Sequence, residues 1–244
     1  MKILLIRHGD PDYENDSLTS VGQKEAQALA ARMAGVPIDE IYMSPLGRAQ
    51  QTASYTLQVK GMTAVTDDWL REFDVKQILR PDAGGRRKIP WDWLPQDWTR
   101  DERFYRDDEW FLNEIMEEAG VKEYYDHVVS CFDALLASHG YVREGRCYRV
   151  EKPNTKVLAL FCHYGVSCVI LSHIMGVSPM TLWHGSCMAP TSVTTVVTEE
   201  RRKGTASLRA LGIGDISHLY AAGLEPSFAA RFCECWDNQD ERHD

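Results

Sequence analysis

Residues 1–9 read Met1-Lys2-Ile3-Leu4-Leu5-Ile6-Arg7-His8-Gly9, and residues 156–165 read Lys156-Val157-Leu158-Ala159-Leu160-Phe161-Cys162-His163-Tyr164-Gly165. Each is a short apolar run that stops at a histidine, with a glycine one or two places on. Unbroken aliphatic runs of this length mark strands covered on both faces, as in the parallel sheets of α/β proteins. Ligands bind beyond the carboxyl ends of such strands. Two histidines far apart in the chain are therefore expected at one sheet edge.

Working outward, the loop 10–19 is polar. Thr19 or Ser20 caps a helix over about 20–34, where Val21, Ala26, Leu29, Ala30 and Met33 share a face. Gly35 and Pro37 end it, and residues 39–43 suit a short strand. Ser44-Pro45 opens a helix over about 46–58, and residues 62–66 suit another strand. From residue 74 the periodicity is lost. Arg86-Arg87-Lys88 is followed by Trp91, Trp93 and Trp98, which reads as a lid-like insertion rather than a second domain. Helices are expected over about 108–119 and 122–138, and paired strands over 192–198 and 205–211, joined by a charged turn at 199–204. The pattern predicts one domain, 1–244. It is a three-layer α/β/α sandwich with a mostly parallel central sheet and a helical, lid-like insertion at about 74–130.

Bulk properties narrow the function. The chain has 244 residues, 44% hydrophobic and 26% charged, with a formal net charge of −9. An acidic chain lacks the basic face that nucleic acids and anionic membranes require. The apolar run at the N-terminus is too short for a secretory signal, and no stretch approaches a membrane span. Seven cysteines, an odd number and mostly in apolar contexts, suit buried free thiols in a reducing compartment, so a cytoplasmic location is expected. Cys233-Glu234-Cys235 has no second ligand pair, which argues against zinc.

Phosphate-ester hydrolysis without a metal needs a nucleophile, cations around the non-bridging oxygens, and an acid for the leaving oxygen. Neutral imidazole can be the nucleophile, and guanidinium groups suit the oxygens. His8 and Arg7 stand at one strand end, His163 at the other, and Arg48 lies early in a predicted helix. Glu72, in Trp69-Leu70-Arg71-Glu72-Phe73, sits among apolar neighbours that raise a carboxyl pKa. Asp74 is its rival. Arg86-Arg87-Lys88 and His184 are weaker candidates for substrate contact.

Five ordered segments carry a resemblance: Arg7-His8-Gly9, Leu18 to Ala26, Ser44 to Ala53, Leu70-Arg71-Glu72 and Phe161-Cys162-His163. Together they resemble the histidine phosphatase superfamily in its phosphoglycerate-mutase-like branch. The resemblance implies that His8 is phosphorylated, that Arg7, Arg48 and His163 bind the phosphoryl oxygens, and that Glu72 acts as acid and then base. It implies no metal or organic cofactor, and a small phosphorylated molecule as substrate. The loop Asp10-Pro11-Asp12-Tyr13-Glu14-Asn15 departs from the Glu-Thr and Trp-Asn of many relatives, which leaves Asn15 as the candidate for the family asparagine. Tyr164 separates His163 from the usual glycine and is expected to narrow or decorate the phosphate pocket. The "G-x-W-E-G" element of mutases is absent. A phosphatase is the leading expectation. A phosphoglycerate mutase and a non-catalytic phosphate-ligand-binding protein are the alternatives, and a homodimer is left open.

Overall fold

The two histidine-terminated runs form adjacent strands, β1 (Lys2–Arg7) and β8 (Val157–Cys162), paired in parallel with Lys2 opposite Val157 and Arg7 opposite Cys162. The computed structural model describes residues 1–74, 78–79, 88–229 and 231–243. Arg86 and Arg87 thus lie outside the described residues. Between the two strands come β2 (Pro11–Asp12), β3 (Ser17–Leu18), β4 (Glu40–Met43), β5 (Val65–Thr66), β6 (Tyr141–Glu144) and β7 (Cys147–Val150). After them come β9 (Val193–Arg202) and β10 (Thr205–Asp215). Eight strands make one sheet in the order β5-β4-β8-β1-β9-β10-β7-β6, while β2 and β3 pair separately. The sheet is mixed. It runs parallel from β5 through β1, where both histidines lie, and antiparallel through β9, β10, β7 and β6.

Alternate residues of the central strands feed two cores, as a two-sided sheet requires. Ile3, Leu5, Leu158 and Leu160 face one cluster; Leu4, Ile6, Ala159 and Phe161 face the other. The second cluster is closed by α1 (Ser20–Ala34) and α2 (Gly47–Lys60). The first is closed by the insertion and by α5 (Val121–Ser138) and α6 (Tyr164–Met175). The remaining short helices are α3 (Pro95–Trp98), α4 (Glu114–Glu118), α7 (Pro179–Gly185) and α8 (Ser217–Ala221). The α/β sandwich is as expected.

Several local expectations need correction. The single helix over 108–119 is a 3-10 turn, Trp110–Leu112, followed by α4, because Asn113 caps a new start by accepting from the Ile115 amide at 3.0 Å. The charged turn at 199–204 shrinks to Lys203-Gly204, since β9 and β10 extend towards each other. The β6–β7 hairpin was not anticipated. Of the seven cysteines, all free, only Cys162 and Cys168 are buried.

Candidate active site

β1 delivers Arg7 and His8 to the sheet edge, both buried, at 3% and 2% exposure. The backbone clamps the turn from two sides: the His8 amide donates to the Cys162 carbonyl at 3.0 Å, and the His8 carbonyl accepts from Thr191 at 3.1 Å. Gly9 and Gly22 let the loop lie directly on the start of α1. A Cβ on Gly9 would stand 2.7 Å from the Gly22 carbonyl, closer than real Cβ atoms come. α1 is held there by Thr19, whose side chain caps Gly22.

The His8 ring is fixed by a 2.7 Å hydrogen bond from Nδ1 to the Gly9 carbonyl. A carbonyl only accepts, so Nδ1 carries the hydrogen and Nε2 keeps its lone pair. Arg48 Nε points at that Nε2 from 3.4 Å. Burial first, then the positive charges of Arg7 and Arg48, hold the imidazole well below its ordinary pKa. The ring is a neutral base at pH 7.

His163 ends β8 and precedes α6. Its ring centroid is 5.0 Å from that of His8. It is tethered by the other nitrogen: Nε2 lies 2.8 Å from Ser44 Oγ. That oxygen also accepts from the Leu46 amide at 3.2 Å; when its own hydrogen goes to Nε2, the ring hydrogen stands on Nδ1. His163 Nδ1 and Arg7 Nε are buried and find no hydrogen-bond partner among the described residues. Buried polar groups are normally paired, so such orphans beside the His8 ring mark a candidate place for an anion. Burial, then the charges of His8, Arg48 and Arg7, keep the His163 pKa well down.

Arg48 starts α2 and is aimed by Asp16, which sequence reasoning missed. One Asp16 carboxylate oxygen accepts from Arg48 Nη1 at 2.6 Å and the other from the Gly47 amide at 2.6 Å. Asp16 adopts a φ of 46°, an uncommon conformation for a non-glycine residue that turns its carboxylate onto the helix start. No sequence signal announces it. Thr52 was legible, within the Ser44–Ala53 segment; it accepts from the Gly9 amide at 2.9 Å and donates to the Arg48 carbonyl at 2.8 Å, joining the two loops.

Glu72 follows a 3-10 turn whose Trp69 and Leu70 are buried. Its Oε1 accepts from the Phe73 amide at 2.8 Å and from Val166, in the first turn of α6, at 3.1 Å. Burial pushes its pKa up, and the amides of Phe73, Gly165 and Val166 oppose that rise. The Arg48 charge acts on His8, His163 and Glu72.

Two expected phosphate ligands are not placed for that work. Asn15 is exposed and closes a turn on Asp12, its Nδ2 donating to Oδ2 at 2.8 Å. The Tyr164 hydroxyl turns away towards α7, 2.7 Å from the Trp183 carbonyl and 2.8 Å from that of Ser186. Its ring stands beside Arg7, 5.9 Å from the guanidinium carbon, so it packs the arginine and leaves the anion alone. His184 is held by the Met180 carbonyl and stacks on Trp98, which makes it part of the insertion's packing. Among the described residues no cluster of three or more His, Cys, Asp or Glu side chains is arranged to hold a metal ion, and no helix is long and apolar enough to cross a membrane.

Comparison with known proteins agrees with this geometry. The profile of the histidine phosphatase superfamily (branch 1) matches residues 3–210. Proteins named "Probable phosphoglycerate mutase GpmB" from Yersinia enterocolitica and Yersinia pestis are 36% identical over 84 residues, which is 31% of this chain and 39% of theirs. The match thus spans well under half of those relatives. Among solved structures, phosphoserine phosphatase of Entamoeba histolytica, in complex with 3-phosphoglyceric acid, superposes with a TM-score of 0.57 at 16% identity, covering 89% of this chain and 98% of that one. A mycobacterial glucosyl-3-phosphoglycerate phosphatase gives 0.53 at 15%, covering 87% and 98%. At such identities the likeness speaks for the fold.

Proposed function

The chain belongs to the histidine phosphatase superfamily (branch 1), and from that premise we propose that it hydrolyses a phosphate monoester through a phosphohistidine on His8. The carrying observation is the pair of buried, unpartnered nitrogens, Arg7 Nε and His163 Nδ1, beside a His8 ring whose Nε2 lone pair faces Arg48 Nε. In the first step Nε2 attacks phosphorus and the bond to the leaving oxygen breaks. Arg7, Arg48 and His163 hold the three non-bridging oxygens, and protonated Glu72 gives its proton to the leaving alkoxide. In the second step Glu72 takes a proton from water, the resulting hydroxide attacks the phosphoryl group, and inorganic phosphate leaves with Nε2 restored. The raised pKa of Glu72 suits the acid role, and the lowered pKa of His8 suits the nucleophile. No step calls for a metal. The seven free thiols suit a reducing, cytoplasmic setting.

Acid quenching during turnover of a generic aryl phosphate tests the mechanism. An acid-labile phosphoryl group is expected on the wild type and none on His8→Ala, whose turnover falls by at least about 10⁴-fold. Full activity in His8→Ala would refute it. The local likeness to the Yersinia proteins supports a second reading, a mutase that returns the phosphoryl group to another hydroxyl. Stimulation by a bisphosphoglycerate with little release of inorganic phosphate would favour that reading.

A further inference from the structure

The side of the site marked by Glu72 is aromatic. Trp91, in the insertion, is half-buried. It meets the Tyr164 ring edge-on at 5.5 Å, and its Nε1 donates to the Phe73 carbonyl at 3.0 Å. Gly165 permits the close fit. A Cβ there would lie 2.6 Å from Glu72 Oε1 and 2.8 and 3.1 Å from Nε1 and Cε2 of Trp91. The carboxyl oxygen and the indole therefore flank one point. The partly buried ion pair of Lys88 and Asp92, at 3.3 Å, brackets Trp91 in sequence and steadies the segment.

The polar side-chain atoms of Trp91, Tyr164 and Trp183 are already engaged. The indole nitrogen of Trp91 is taken by Phe73, the Tyr164 hydroxyl by carbonyls of α7 and the loop after it, and Trp183 Nε1 by the Gly165 carbonyl at 3.1 Å. Among the described residues these three side chains offer no free hydrogen-bonding atom, and the half-buried Trp91 is the one that keeps ring surface exposed. Nearby, Arg71 is exposed and ion-paired to Asp68 at 3.6 Å.

In an in-line displacement the leaving group departs on the side of its acid. We propose that Trp91 is a specificity-determining residue that seats the alcohol portion of the substrate. It would favour phosphate monoesters of aromatic or otherwise flat cyclic alcohols over esters of small hydroxy acids, whose carboxylates and hydroxyls find no partner on the Trp91 and Tyr164 rings. The inference rests on Glu72 marking the leaving-group side.

Calorimetric binding of benzylphosphonate and methylphosphonate to the full chain tests it without turnover. The wild type is expected to prefer the benzyl probe by about tenfold, the scale of one good aromatic contact with its buried area. Trp91→Phe keeps most of that preference. Trp91→Ala loses it while methylphosphonate binding stays unchanged. A wild type with no preference overturns the proposal, as does a preference that survives in Trp91→Ala. Equal weakening of both probes in both variants also overturns it, because Trp91 is then a packing residue. The acid quench on His8 decides the phosphohistidine chemistry separately, so the two readings fail by different results.

Discussion

β1 and β8 lie side by side, run the same way and each end in a buried histidine, yet the two rings are tied down by opposite nitrogens. At the β1 end a carbonyl holds Nδ1 of His8 and leaves a lone pair facing Arg48. At the β8 end a hydroxyl holds Nε2 of His163 and leaves an N–H facing the same hollow. Burial is the main reason that both pKa values are depressed, so charge does not separate them. The tethering partner does. The Gly9 carbonyl can only accept, which suits the nucleophile proposed for His8; the Ser44 hydroxyl, when it donates, suits the hydrogen-bonding ligand proposed for His163. The amides that follow His163 seat Glu72 as well, so in the proposed reaction one strand end presents the nucleophile and the other the proton donors.

The largest test of this division is Glu72→Gln. A well-placed general acid contributes about 10²–10⁴-fold, and that loss is expected for an alkyl phosphate. The wild-type rate should fall as pH rises through the raised pKa of Glu72, because the acid is then ionised. It should hold up below pH 6.5, because His8, with its lowered pKa, stays unprotonated there. In Glu72→Gln the alkaline limb disappears. With a good aryl leaving group the phosphoenzyme accumulates, since the base that activates water is gone. A pH–rate profile unchanged in shape would detach Glu72 from the chemistry.

His163→Ala sharpens the contrast between the rings. Removing one donor from a preorganised anion site costs about 10²–10³ in turnover. The acid-labile phosphoryl group should still form on His8, more slowly. Peptide mapping of the trapped wild type that found phosphate on His163 would break the assignment of roles.

Much of this arrangement was legible in the sequence, for a physical reason. Strands buried on both faces must be apolar throughout, and parallel strands present their carboxyl ends together, so the runs before His8 and His163 placed both rings at once. Arg48 and Glu72 were expected from a predicted helix start, from apolar neighbours and from the family-like segments that hold them. What was missed depends on backbone geometry that no residue type announces. Asp16 reaches Arg48 only through its left-handed φ, and Thr191, at a φ of 58°, reaches the His8 carbonyl the same way. Tyr164 adjoins His163 in sequence, but its hydroxyl does not follow the histidine to the sheet edge. As the first residue of α6 it points its hydroxyl at α7, and Gly165 faces the site instead.

The smallest expected effect probes the tether itself. The Ser44 hydroxyl has no hydrogen bond to Glu72 or the His8 ring among the described residues; it joins His163 Nε2 to the Leu46 amide, and its proposed work is to present one hydrogen to that nitrogen. Ser44→Ala removes that hydrogen and frees the ring to hold its proton on either nitrogen. Loss of a partner that orients a functional histidine typically costs about tenfold or somewhat more. The drop should lie mostly in the binding of phosphate as a competitive inhibitor, because His163 is read as a ligand of the anion. A merely structural role would change stability but leave the tautomer alone, so ¹⁵N shifts of the ring separate the two. The wild type should show the hydrogen on Nδ1, Ser44→Ala a mixture, and Ser44→Thr, which keeps the hydroxyl, the wild-type pattern. If Ser44→Ala leaves both the ring shifts and phosphate inhibition untouched, the hydroxyl does not set the role of His163, and the difference between the two strand ends needs another cause.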